Sequence, residues 1–155
     1  MKFYLTLLAF ILTLTCYAQQ ASSPSSGFDS ALAKKLGADE YGMKQYIMAF
    51  LKTGTEIKDT AEKRRLLMGH LGNIIRLANE GKLVIAGPFL DNQELRGIFI
   101  FNVATVNEAQ ALIATDPSVK AGLFKVEFHP WYGSAALVQI VQMQKMIQQK
   151  GITDR

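Results

Sequence analysis

Residues 82–103 read KLVIAGPFLDNQELRGIFIFNV, and this stretch decides the fold. Two apolar runs, 82–89 and 95–103, flank the polar tetrapeptide Asp91-Asn92-Gln93-Glu94. Val, Ile and Phe suit a pleated, buried surface, whereas Asp and Asn favour turns. So short a connection allows only antiparallel pairing, and the stretch predicts a β-hairpin.

A helix is expected on each side of the hairpin. Upstream, Leu67, Leu71, Ile74 and Ala78 recur at helical spacing, with Met68 and Ile75 widening the stripe. Thr60 reads as the N-cap, although Lys63 stands where a capping box would place Glu. Gly81 reads as the residue that ends the helix. Downstream, Asn107 reads as the cap of a second helix carrying Ala111 and Leu112. Beyond the helices, MKQYIMAFLKTG (43–54) and GLFKVEFHPWYG (122–133) read as strands. The order β-α-β-β-α-β is the ferredoxin-like pattern, an α+β fold. SAALVQIVQMQKMIQQK (134–150) adds a C-terminal helix outside that unit.

In this architecture helices cover one face of the sheet, so the other face should be polar if it met water. It is not. Ile47, Ala49 and Leu51 alternate with Tyr46, Met48 and Phe50, and Ile98 and Ile100 alternate with Phe99 and Phe101. Burying one such side chain is worth about 1.5–3 kcal/mol, so a cover is required. A second copy of the chain is the economical cover, which predicts a homodimer, and the C-terminal helix is its rival.

The N-terminus reads as an address. MKFYLTLLAFILTLTCYA (1–18) has one positive charge, an apolar run and a small residue at Ala18, the pattern of a secretory signal peptide cleaved after Ala18. The run is short of the roughly 20 apolar residues of a membrane span. No membrane attachment is expected after cleavage, and a secreted or periplasmic location follows. A lipoprotein signal acylated at Cys16 is the competing reading, disfavoured by Thr15 where Gly or Ala is usual. Residues 19–42 read as a flexible linker with a short helix ended by Gly37, 43–133 as the domain, and 134–155 as the C-terminal helix and tail.

Composition narrows the function. The 155 residues are 49% hydrophobic and 19% charged, an ordinary globular balance for one domain. The net charge of +4 is scattered apart from Lys63-Arg64-Arg65, so no nucleic-acid partner is expected. Cys16 is the only cysteine, so thiolate metal sites and disulfide frameworks are excluded from the mature chain. No phosphate loop, serine nucleophile motif or HExxH motif occurs, and no cofactor is implied.

Few residues remain that carry chemistry. His70 lies at the edge of the helix stripe, about 100° around from Leu71. It fits a partly buried histidine bonded to backbone, the better reading taken alone, or a general acid/base at a cleft rim. Asp116 before Pro117 is an N-cap followed by a proline at the first helical position, and a capping aspartate can also orient an imidazole. His129 precedes Pro130 and shares a strand face with Glu127 and Lys125. It is a strand-end histidine or a second pocket residue. Gly87 and Pro88 bring a backbone turn near a ligand or simply close a strand, and Trp131 stacks on a ring-shaped ligand or packs. No local spacing supports a metal site from His70, His129 and Asp116, so none is expected.

Between Glu62 and Tyr132 the chain resembles the YciI-like (YCII-related) family. The resemblance rests on His70-Leu71 followed by Leu77, Gly81, Leu83 and Ala86-Gly87-Pro88. It rests also on Gly97 leading a β run with Glu108-Ala109 after it, and on Asp116-Pro117 followed by Ala121-Gly122-Leu123 and Trp131. It implies a ferredoxin-like dimeric α/β barrel and a His/Asp active-site pair at His70 and Asp116. A few related enzymes act on small ring compounds, including dehydrochlorination of a hydroxylated aromatic. Two departures bear on substrate. Leu67 stands where many relatives carry Arg, and the segment between the second and third strands is shorter than is usual. The function expected is a lyase- or isomerase-type proton transfer on a small molecule, with a non-catalytic ligand- or partner-binding protein as the alternative.

Overall fold

The computed structural model describes residues 27–154. The expected signal segment with its cleavage site at Ala18, Cys16 and the start of the expected linker lie outside the described residues. The elements are α1 (Ser30–Leu36), β1 (Met43–Thr53), α2 (Thr60–Asn79), β2 (Leu83–Pro88), β3 (Leu95–Phe101), α3 (Val106–Ile113), α4 (Pro117–Lys120) and β4 (Phe124–Ser134). A 3₁₀ turn (Ala135–Gln139) and α5 (Ile140–Ile147) follow. The strands form one antiparallel sheet in the order β2-β3-β1-β4, so the fold is ferredoxin-like α+β with a C-terminal helix.

Local chemistry sets the element ends, sometimes one or two residues from where the sequence suggests. The N-cap of α2 is Asp59, not Thr60: its carboxylate accepts from the Ala61 and Glu62 N–H groups. Glu62 is thus the third residue of the helix, and it pairs with Arg65 instead of closing a box. Helix α3 is capped by Thr105, not Asn107, in a full capping box with Glu108. Gly81 does end α2. Its φ is +68°, and the Gly81 and Lys82 N–H groups reach back to the Ala78 and Leu77 carbonyls. The expected single C-terminal helix is a 3₁₀ turn and then a short α-helix.

The sheet carries a separate core on each face. Ile47, Ala49, Leu51, Phe99 and Phe101 point toward the helices and pack with Leu77 of α2 and Ala109 and Ile113 of α3. On the other face Tyr46, Val84 and Ile100 are buried together with the half-buried Met48, Ile85, Trp131, Leu137 and Val138. Leu137 and Val138 belong to the 3₁₀ turn, so the chain's own C-terminal segment covers one end of the face that faced no helix. Toward the other end the same face presents half-buried Phe50 and Ile98 and then Lys52, Lys125, Glu127 and His129.

The N-terminal segment is tied to the opposite end of the sheet, the one that the C-terminal segment covers. Asp39 accepts from the Tyr41 and Met43 N–H groups at 2.9 Å and from the Tyr132 hydroxyl of β4. The Tyr132 bond holds the Asp39 carboxyl below its usual range, and the same bond raises the Tyr132 phenol.

Candidate functional site

The buried line of α2 runs through Leu66, Asn73 and Leu77, with His70 between them. His70 is therefore central to the packed face, not at its edge, and Leu67 and Leu71 are the half-buried flanks. Apolar periodicity misplaces the stripe because two polar residues turn inward. Polar groups can do so only where partners meet them, and the connection from α3 to α4 supplies those partners.

Asp116 caps α4, as its sequence position before Pro117 suggests: Oδ1 accepts the Ser118 N–H at 2.8 Å. Its other oxygen, Oδ2, lies 2.6 Å from His70 Nδ1. Asp116 is fully buried, and the His70 side chain is 12% exposed. Both carboxylate oxygens accept, so Nδ1 carries the hydrogen, and whenever the ring is neutral the free lone pair is on Nε2. Among the described residues Nε2 has no protein partner, yet it is not a buried unpaired atom, so it opens toward solvent. Phe99 stacks on the imidazole at 5.6 Å with an interplanar angle of 14°, and Phe124 lies tilted against it at 5.3 Å. One nitrogen is thus locked inside, two aromatic rings fix the plane, and the other nitrogen faces out. That arrangement can accept and return a proton at a defined point.

A second polar cluster braces Asp116 from the chain-preceding side. Thr115 Oγ1 lies 2.9 Å from Asn73 Oδ1 and 2.6 Å from the Leu112 carbonyl. Arg76 donates to both Asn73 Oδ1 and Thr115 Oγ1 at 2.8 Å and pairs with Glu80. Asn73 Nδ2 is a buried donor without a partner. Neither Asn73 nor Thr115 is singled out by the sequence, because the apolar stripe read there runs through Leu67, Leu71 and Ile74 instead.

The remaining sequence candidates do not join the pair. His129 and Trp131 lie on the opposite face of the sheet, because they pair with Met48 and Tyr46 of β1. His129 Nε2 lies 2.8 Å from Glu127 Oε1, and the ring meets the edge of Phe50 at 5.6 Å. Glu127 also binds Lys52, and that bond, with a smaller contribution from His129, holds the Glu127 carboxyl below its usual range. Trp131 folds over Gly133, where an added Cβ would stand 2.3 Å from the indole, and tilts against Tyr46 at 5.8 Å. Gly87 and Pro88 pair with Ile98 and Gly97 at the outer end of β2. Gly97 has no room for a Cβ, which would meet the Gly87 carbonyl oxygen at 2.6 Å, so the role visible here is close strand packing.

Two open surface depressions do not include the imidazole in their linings. One, of about 860 Å³, is lined by Thr60, Ala61, Arg64, Arg65 and Met68, and the other, of about 150 Å³, by residues 44–45 and 102–104. Among the described residues no group of three or more His, Cys, Asp or Glu side chains could hold a metal ion. No described helix is long and apolar enough to cross a membrane.

No curated protein matches the chain. Residues 48–132, from the middle of β1 to two residues before the end of β4 and including both His70 and Asp116, match the YCII-related domain. This match spans more than half of the sequence, and the chain belongs to the YCII-related domain family.

Proposed function

We propose that the protein is a small-molecule acid–base enzyme of the lyase or isomerase type, exported from the cytoplasm, with His70 as the proton carrier and Asp116 as its orienting partner. The observation that carries this reading is the 2.6 Å contact from Nδ1 to a fully buried carboxylate while Nε2 faces outward. Nε2 would take a proton from a C–H or O–H of the substrate. The electron pair left behind would either shift within the substrate, with the proton returned to another atom, or expel a leaving group as an anion, the imidazolium then giving its proton to that group or to water. Asp116 would stabilise the imidazolium formed between the two steps. Phe99 and Phe124 keep the ring from turning, which preserves the geometry that such a transfer requires.

The test is His70→Asn in the full chain, assayed against phenolic, halogenated aromatic and lactone substrates. A loss of about 10²–10⁴-fold in turnover is expected for removal of a general base. Turnover that survives unchanged would end the proposal.

A second reading is favoured by the place of the imidazole outside the two surface depressions described above. In it the same surface binds a ligand or partner without turnover, and binding persists in His70→Asn. A homodimer belongs to either reading. Phe50 and Ile98 remain half-buried beside a charged strip, and a second copy would cover them. Sedimentation at low concentration should give twice the monomer mass. The export part rests on the apolar run of residues 3–14 after Lys2, and is tested by the N-terminal mass of protein recovered outside the cytoplasm.

A further inference from the structure

Helix α4 has four residues, far fewer than an isolated helix needs to persist in water. Yet it must hold Asp116 within hydrogen-bond reach of a ring on another helix. Three contacts with α2 accompany it, at Leu66, Gly69 and His70, which follow one another up a single face of that helix. The Ser118 hydroxyl donates to the Leu66 carbonyl at 2.9 Å. Pro117 lies against Gly69 so closely that a Cβ there would stand 2.5 Å from the proline Cγ. Asp116 meets His70.

Ser118 is engaged twice. Its N–H donates to Asp116 Oδ1 and its hydroxyl to Leu66, and the side chain has no exposed surface. The Leu66 carbonyl is also the one that accepts the His70 N–H in the regular i to i−4 pattern of the helix. A single residue therefore grips the carboxylate on one side and the turn carrying the imidazole on the other. Gly69 has the complementary part. A glycine inside a helix costs about 1 kcal/mol relative to alanine, and the compensation here is the close seat of the Pro117 ring on the α2 backbone, which any side chain would push away.

We infer that Ser118 and Gly69 are positioning residues that set the distance and tautomer of the His70–Asp116 pair. Ser118 acts through the carboxylate, and Gly69 acts through the Pro117 ring that follows Asp116 in the chain. The inference rests on the proposed role of the pair for its functional meaning, but its test does not use turnover.

The chain has only two histidines, so ring nitrogen and ring proton resonances of His70 can be read with His129 as an internal control. The full chain should show His70 locked as the Nδ1–H tautomer with a protected ring proton. Ser118→Ala and Gly69→Ala, each folded by amide dispersion, should lose that proton signal and give mixed tautomers, with His129 unchanged. Ser118→Thr, which keeps the hydroxyl, should restore it. Folded Ser118→Ala and Gly69→Ala proteins with an unaltered His70 signature would overturn the inference. Should those variants not fold, amide exchange in the unsubstituted chain decides. The Ser118 N–H should be protected with the amides of α2, and exchange at the rate of a frayed end would overturn the inference equally. Loss of the His70 signature without any substrate found would sink the proposed function alone.

Discussion

The two histidines of this chain sit on opposite faces of one sheet, each beside a carboxylate at similar distance. His70 meets Asp116 at 2.6 Å and His129 meets Glu127 at 2.8 Å. The partners of the first pair are 46 residues apart in sequence and those of the second only two, on one strand. Burial separates them further: the Asp116 side chain is fully enclosed, whereas His129 and Glu127 are each about half exposed. An enclosed carboxylate has no water to replace a lost partner, so its contact constrains both groups. An exposed one exchanges its partner for solvent at little cost. The same contact is thus a constraint on one face and an exchangeable surface contact on the other.

The comparison is broken most forcefully by removing what the buried histidine rests on. Phe99 is 2% exposed, stacks on His70 and meets Phe101 edge-on at 5.7 Å. Phe99→Ala should cost about 3–5 kcal/mol in urea unfolding. Phe50→Ala, beside His129 on the other face, should cost clearly less. Equal losses would mean that the two faces are equally packed.

Asp116→Ala sharpens the contrast between the carboxylates. It removes both the cap of α4 and the imidazole's partner, and should cost about 2–3 kcal/mol by the same measurement. The smallest effect belongs to Glu127. Its folded pKa is lowered, first by Lys52 and then by His129. Its contribution is therefore present above the ordinary value of 4.5 and is lost as pH falls through the lowered value. Glu127→Gln should lower the midpoint slightly at pH 7, flatten the decline of stability below pH 4.5, and lose that difference at high salt. An Asp116-sized loss at pH 7 would contradict the distinction drawn here.

The element order is legible in the sequence because periodicity and turn chemistry are local. The hairpin at 82–103 and the glycine stop at Gly81 need no tertiary information. Cap positions shift because neighbouring residues compete: Asp59 and Thr60 can both cap, and the backbone that turns extended at Asp59 decides. At α3 the better signal was present, since Glu108 stands three residues after Thr105. The inward turn of His70 and Asn73 was not legible, because periodicity ranks positions by apolarity and cannot know which polar groups find partners. The pairing of His70 with Asp116 came from family resemblance, not from spacing. Gly69 was readable in principle, as a glycine inside an otherwise regular helix requires a reason.

The C-terminal segment that lies over Tyr46 has a spectroscopic consequence. Trp131 is the only tryptophan, and it shares a cluster with Leu137 and Val138 of that segment. Its emission wavelength therefore registers whether the tail is seated, while the imidazole resonances of His70 register the opposite side of the sheet. Each layer of the molecule thus has its own intrinsic reporter, and peeling one away from the other can be followed without any label.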